Sequence, residues 1–264
     1  MKSDNDIAIN HIMEIKDKVS IITGSSRGLG KLLAMGFARE GAKVVVAART
    51  EIKKELLPGT IYETAEAVKA EGGYALPVKC DVTSEESIEA MVKRVMDELG
   101  RIDILVNNAG TAYPKLITET SLKRWELVLK VNLTGAFLCS KAVLPVMQEK
   151  KSGSIINISS IDAVTRSSGF TGAAYGVSKA ALERYTWSLA AEVGKYNIAV
   201  NALKPKEGIE TEGLMAVSGG AGRERWKSPE KFIRAAVFLA KQNASGVTGT
   251  VASDEEYCLW HNLE

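Results

Sequence analysis

Tyr175 and Lys179 stand four positions apart in AAYGVSKAALERY, a stretch that reads as helix from Ala173 onward, so both side chains leave one face. A phenol and an ammonium so placed can carry a proton. A free phenol titrates near pH 10, about three units above neutrality, and a neighbouring cation favours its phenolate by charge. Ser160 ends the preceding apolar run, 15 positions before the tyrosine, and its hydroxyl could donate to a substrate oxygen as charge develops there. Ser159 is the alternative, because a strand ending one residue earlier would aim that hydroxyl instead. Taken alone, the YxxxK spacing also fits a surface tyrosine beside a snorkelling lysine.

What gives the pair chemistry is a second motif near the N-terminus. The run Val19 to Thr23 leads directly into Thr23-Gly24-Ser25-Ser26-Arg27-Gly28-Leu29-Gly30 and then KLLAMGFARE. In such a strand, turn and helix, Gly24 permits the sharp exit, Gly28 lets backbone approach a pyrophosphate, and Gly30 lets the helix pack on the sheet. The free N–H groups and dipole of the helix then face the phosphates, with Ser26 and Leu29 beside them. Hydride transfer to a carbonyl carbon leaves an alkoxide that needs a proton donor, and the reverse oxidation needs a base in the same place. Tyr175 would serve both directions. The next strand ends at Ala48-Arg49, where an NAD site would place a carboxylate for the ribose hydroxyls. Arg49 and Arg27 could instead pair with a 2′-phosphate, so NADP(H) is preferred and NAD(H) remains possible.

These groups need a frame. Short β-branched apolar runs recur at Val19 to Thr23, Val44 to Ala47, Ala75 to Lys79, Ile104 to Asn107, Ser154 to Ser159 and Ile198 to Ala202. Between them lie amphipathic stretches of helical length, such as Gly28 to Glu40, Ser84 to Leu99, Ser121 to Met147 and Ala173 to Val193. The alternation predicts an α/β, doubly wound Rossmann-type parallel sheet with helices on both faces and ligands beyond the carboxyl ends of the strands. No Pro/Gly/Ser-rich linker divides it, so residues 1–264 read as one domain, with 1–14 an N-terminal extension and 205–228 a substrate loop or lid.

At 264 residues, 45% hydrophobic and 25% charged, the chain has material for a continuous core, which excludes disorder. Lys plus Arg number 34 against 32 acids, and a net charge of +2 gives no electrostatic claim on nucleic acid or a membrane surface, so neither is expected as a partner. Three scattered cysteines, without a CxxC, argue against a disulfide framework or zinc, and two histidines near the chain ends leave no metal cluster. The N-terminus carries acids and amides, and no run approaches the ~20 apolar residues of a membrane span. A cytoplasmic location is expected.

Beside the Thr23 to Gly30 loop and the Tyr175 to Lys179 segment stand Asn107-Asn108-Ala109-Gly110, Asn132 in VNLTGAF, and Ser159-Ser160. With these marks the chain resembles the short-chain dehydrogenase/reductase family in its compact single-domain form, over about residues 15 to 252. The segment Leu57-Pro58-Gly59-Thr60 with Tyr62 resembles the hydroxysteroid-dehydrogenase-like branch. The resemblance implies a seven-stranded sheet of order 3-2-1-4-5-6-7. It implies that Asp81 and Val82 line an adenine site, and that Asn108, Ala109 and Gly110 lie beside the cofactor ribose. Asn107 would tie neighbouring strands. It further implies that Lys179 binds the nicotinamide ribose and relays protons through a water near Asn132, and that the chain forms a homotetramer or dimer.

Three features depart from the family's pattern. The interval from Ser160 to Tyr175 is longer than usual. Pro205-Lys206-Glu207-Gly208-Ile209-Glu210-Thr211 displaces the glycine of the usual Pro-Gly, which leaves Ile209 or Thr211 for the nicotinamide carboxamide. The C-terminus VASDEEYCLWHNLE lacks a DGG, and its Tyr257 and Trp260 would anchor the tail or line a neighbour's pocket. The expected activity is NADP(H)-dependent interconversion of a ketone or aldehyde and an alcohol, with Tyr113, Ile161, Phe170, Met215 and Trp226 as pocket walls for a small apolar substrate. The alternative is a catalytically weak NAD(P)-binding regulatory or scaffolding protein on the same fold.

Overall fold

The computed structural model describes residues 14–53, 58–165 and 171–263, the side chain of Val217 excepted. The N-terminal extension other than Glu14, the Leu57 of the branch motif and the pocket candidate Phe170 lie outside these residues.

The β-branched runs form seven parallel strands: β1 Val19–Thr23, β2 Lys43–Ala48, β3 Tyr74–Lys79, β4 Ile104–Asn107, β5 Gly153–Ile158, β6 Ile198–Lys204 and β7 Val251–Ser253. Their order is β3-β2-β1-β4-β5-β6-β7, all pairs parallel, as the resemblance implied. β1, β4, β5 and β6 are buried at every position. Continuous apolar runs rather than alternating ones suit such strands, because both faces of a parallel sheet are covered.

One face is covered by α1 Gly28–Arg39 and α2 Ile61–Ala70, together with two later helices, α8 Glu230–Ala240 and α9 Asp254–His261. Its core contains Leu33, Phe37, Phe232, Leu239 and Tyr257. The other face carries α3 Glu85–Leu99, α5 Gly135–Lys150 and α6 Ala173–Val193, packed through Ile88, Met91, Val143, Met147 and Val193. Thr60 and Ser84 cap α2 and α3 through their hydroxyls, and Gly100 ends α3 at φ 69°. Tyr257 is fully buried and its hydroxyl donates to Ala202 O or Thr250 O, each at 3.2 Å, so this residue anchors the tail; Trp260 is 55% exposed.

The stretch Ser121 to Met147, expected as one regular helix, is interrupted. α4 Leu122–Leu129 passes through a single π-helical turn, Lys130–Thr134, before α5 resumes and runs on to Lys150. Such turns concentrate at functional sites, and this one holds Asn132, 1% exposed. Contrary to the sequence expectation, Leu122–Lys150 is also the one helix among the described residues long and apolar enough to cross a membrane, by length and composition alone. Here Val143 and Met147 of that helix are buried against the sheet. Segment 205–228 folds into α7 Glu212–Ser218, a turn at Arg223–Arg225, and a bridge between Ile209 and Lys227.

Candidate functional site

The strand order reverses between β1 and β4, and helices on opposite faces leave a crevice there at the carboxyl ends. A cleft of about 640 Å³ fills it. Every residue expected to bind the cofactor or to act in catalysis lines this cleft except Asn132 and Ile209.

Its floor is the glycine loop. A Cβ on Gly30 would come within 2.5 Å of Asn108 Nδ2 and 2.6 Å of Gly24 O, so this position cannot carry a side chain without moving backbone. Gly28, at φ +56°, meets only Thr211 Cβ at 3.7 Å. Its bare side therefore faces open cleft. Thr23 Oγ1 accepts from Asn108 N at 3.0 Å and Ala109 N at 3.1 Å, while Asn108 Nδ2 donates to Thr23 O at 2.8 Å. These bonds hold Asn108, Ala109 and Gly110 against the loop. Asn107 Nδ2 donates to Asn157 Oδ1 at 2.9 Å on the adjacent strand.

At one end of the cleft, Arg49 Nη1 lies 3.8 Å from Asp81 Oδ2. Burial disfavours the Asp81 carboxylate, but bonds from Thr83 and the charges of Arg49 and Lys130 outweigh it and hold the group below the usual carboxylate range. Asp81 Oδ1 accepts from Thr83 N at 2.9 Å, a turn role that coexists with its place in the cleft wall. Arg27 donates from Nε to Pro58 O at 2.9 Å and from Nη2 to Gly59 O at 2.8 Å. Two of its N–H donors thus clamp the loop before α2, and the expected convergence of two free arginines reduces to Arg49 and the remaining donors of Arg27.

At the other end stand Ser160, Tyr175 and Lys179. Ser160 and Tyr175 line both this cleft and the cavity beside it, and the serine hydroxyl favours the phenolate of its neighbour. Ser159 Oγ instead donates to Glu183 Oε1 at 2.7 Å, so the Ser160 hydroxyl is the one that faces the tyrosine. Lys179 Nζ lies 5.6 Å from the Tyr175 ring centroid and donates to Ile158 O at 2.7 Å. The expectation that this cation makes the phenol acidic is not met. Burial pushes Tyr175 up to about 12, aided by the nearby Asp162 charge and opposed by the Ser160 hydroxyl. Burial also lowers Lys179 to about 8. Desolvation penalises each charged form by more than the charge of Lys179 stabilises phenolate across this distance.

Asn132 Oδ1 accepts from Thr111 N at 2.8 Å, and Nδ2 donates to Thr111 O at 3.0 Å and Ser178 Oγ at 2.9 Å. The amide is thus engaged in holding Thr111 and α6, rather than lining the cleft.

A second cavity of about 420 Å³ opens beside Tyr175 and Ser160. Of the expected walls, Ile161 and Trp226 line it; Tyr113 and Met215 do not. Tyr113 instead packs its carbonyl where a Cβ on Gly172 would be, at 2.2 Å. Ile209 belongs to this cavity and Thr211 to both, with Thr211 Oγ1 also accepting from Leu214 N at 3.2 Å as the cap of α7.

Sequence reasoning passed over Glu183 and Lys204. Lys204 Nζ donates to Glu183 Oε1 at 3.1 Å, and both residues are buried. Glu183 continues the i, i+4 row of Tyr175 and Lys179, the signal that could have found it. Its carboxylate joins α6 to the ends of β5 and β6. Glu183→Ala strands a buried ammonium and is expected to cost about 3–5 kcal/mol, read as a fall in unfolding free energy by denaturant titration; a loss below about 1 kcal/mol, the range of an exposed pair, would contradict this.

A family model described as short chain dehydrogenase matches residues 18–219. The chain belongs to the short-chain dehydrogenase/reductase family. Hydroxysteroid dehydrogenase-like protein 2 of Xenopus laevis is 38% identical over 240 residues, covering 89% of this chain and 56% of that protein. The Homo sapiens protein of that name is 38% identical over 243 residues, covering 92% and 58%. This short-chain dehydrogenase/reductase therefore spans little more than half the length of those curated relatives. Among solved structures, a short-chain type dehydrogenase/reductase from Mycobacterium marinum superposes with TM-score 0.82 at 29% identity, covering 91% of this chain and 94% of that one. A Beutenbergia cavernae protein, provisionally assigned as an NAD(P)-dependent gluconate 5-dehydrogenase and holding NADP at low occupancy, gives TM-score 0.80 at 32% identity, covering 90% and 95%.

Proposed function

We propose that the chain is an NADP(H)-dependent oxidoreductase of a small, largely apolar ketone or aldehyde, working chiefly in the direction of reduction. The observation that carries this is Tyr175, set beside Ser160 where the dinucleotide-sized cleft meets the second cavity. The cleft fits a dinucleotide: its glycine loop presents bare backbone at Gly28, and Arg49 stands at the end where a 2′-phosphate would lie.

Bound there, the cofactor would supply the hydride. Ser160 and Tyr175 would bind the carbonyl oxygen in the second cavity, both as donors, so that charge developing on it is stabilised as it forms. Tyr175, held protonated near neutrality by its burial, would then give up its proton to that oxygen. Lys179, fixed to Ile158 O, would bind the ribose hydroxyls beside Gly110. Asn132, engaged with Thr111, would keep this wall in place.

Phe137 and Trp187 are 45% and 47% exposed on α5 and α6, which supports assembly into a homo-oligomer through these helices. A cytoplasmic location fits the same reading.

Reduced nicotinamide absorbance, followed with a panel of ketones and aldehydes and with both cofactors, tests the activity. Turnover with NADPH is expected; saturable dinucleotide binding without turnover across the panel would favour the regulatory reading. Arg49→Asp is expected to raise the KM for NADPH by about tenfold or more, the range for loss of a charge-assisted bond, and to leave NADH nearly unaffected. Equal effects on the two would remove the 2′-phosphate argument.

A further inference from the structure

We infer that Glu212 sets the affinity of the cleft for its dinucleotide, because its carboxylate holds the position that the cofactor's diphosphate oxygens must take. This rests on the cofactor reading above and adds a determinant to it.

The Gly28 N–H donates to Glu212 Oε2 at 3.1 Å, a contact between residues 184 apart in sequence. Gly28 is the first residue of α1, whose first turn contains no acidic residue and whose N-cap, Arg27, makes no side-chain cap bond. The helix thus supplies no anion to its own N-terminus, where partial positive charge favours one. The anion comes from α7, on the far side of the cleft. Thr211, next to Glu212, provides the nearest atom to the bare side of Gly28. The neighbouring carboxylates are otherwise engaged: Glu210 pairs with Arg223, and Glu207 lies 4.0 Å from Lys227. Among the described residues Glu212 has no such cation, and backbone N–H is its partner.

A diphosphate and a carboxylate cannot both occupy this backbone N–H. Binding must therefore expel Glu212 and break a charge-assisted bond, or hold two anions side by side. Either way the parent chain binds dinucleotide more weakly than one with a neutral residue there. Because Thr211 and Leu214 line both cavities, movement of Glu212 also displaces part of the wall of the second.

Calorimetric titration of the full chain with NADPH and with NADH tests this, comparing the parent with Glu212→Gln, Glu212→Ala and the neighbouring control Glu210→Gln. Both Glu212 variants are expected to bind each dinucleotide about tenfold tighter, the low end for a bond to a charged group. The gain should match for NADPH and NADH, since the diphosphate is common to both. Glu210→Gln should bind as the parent does. 2′-AMP, which carries the 2′-phosphate but no diphosphate, should bind parent and variants alike. Affinity in the Glu212 variants equal to or below that of a parent that does bind would overturn the role of Glu212 and leave the cofactor reading intact. Failure of parent and variants alike to bind either dinucleotide would overturn the cofactor reading itself, and this inference with it.

Discussion

Tyr175→Phe is expected to lower kcat by about 10²–10⁴-fold, the span of a lost general acid, while leaving NADPH affinity unchanged. The substitution removes one oxygen and keeps the ring, so the packing at the start of α6 survives. What disappears is the proton donor beside Ser160. Steady-state kinetics against a turned-over carbonyl substrate, paired with fluorescence titration of NADPH, separates the two effects. Near-parental kcat in the variant would dismiss the acid/base assignment. The pH profile of the parent offers a further check. With the phenol pushed up to about 12, the tyrosine remains in its donor form throughout the neutral range, and reduction should show no loss attributable to it below pH 9.

Lys179→Met is expected to combine a loss of turnover of about 10²-fold or more with a pH-dependent change in stability. The sign follows from burial. Lys179 is 3% exposed and its ammonium is lowered to about 8 from 10.5, so the unfolded chain holds this proton more tightly than the folded one. The penalty is fully present below pH 8 and is relieved as pH rises towards 10.5. A displacement of this size corresponds to about 3 kcal/mol. Methionine carries no such penalty, although it forfeits the bond to Ile158 O, worth about 1–3 kcal/mol. Denaturant titrations of parent and variant from pH 7 to pH 10 should therefore show the parent gaining on the variant above pH 8. Parallel curves would mean that the lysine is not buried as a cation.

Much of this was legible in the chain because it depends on local periodicity. The glycine loop opens α1 as its spacing requires, and the six apolar runs became six of the seven strands. β7, three residues long, was too short to stand out from its surroundings. The π turn around Asn132 left no mark either, since a single extra residue in a turn hardly changes the apolar pattern of a long helix. Arg27 was read as a free ligand for phosphate because its partners, the carbonyls of Pro58 and Gly59, are backbone groups with no side-chain signature. Glu183 and Lys204 were missed because they lie 21 residues apart in different elements, and only folding brings them together.

By itself the sequence determined the alternation of strands and helices, the family, and the edge of the sheet where the chemistry would sit. Those follow from repeat distances along the backbone and from residue types at fixed offsets. Tertiary structure alone decided which serine faces Tyr175, which proton state burial favours for the phenol and for Lys179, and which anion rests on the N-terminus of α1. Each of these depends on desolvation or on a partner far away in the chain, and neither has a period that can be read along it.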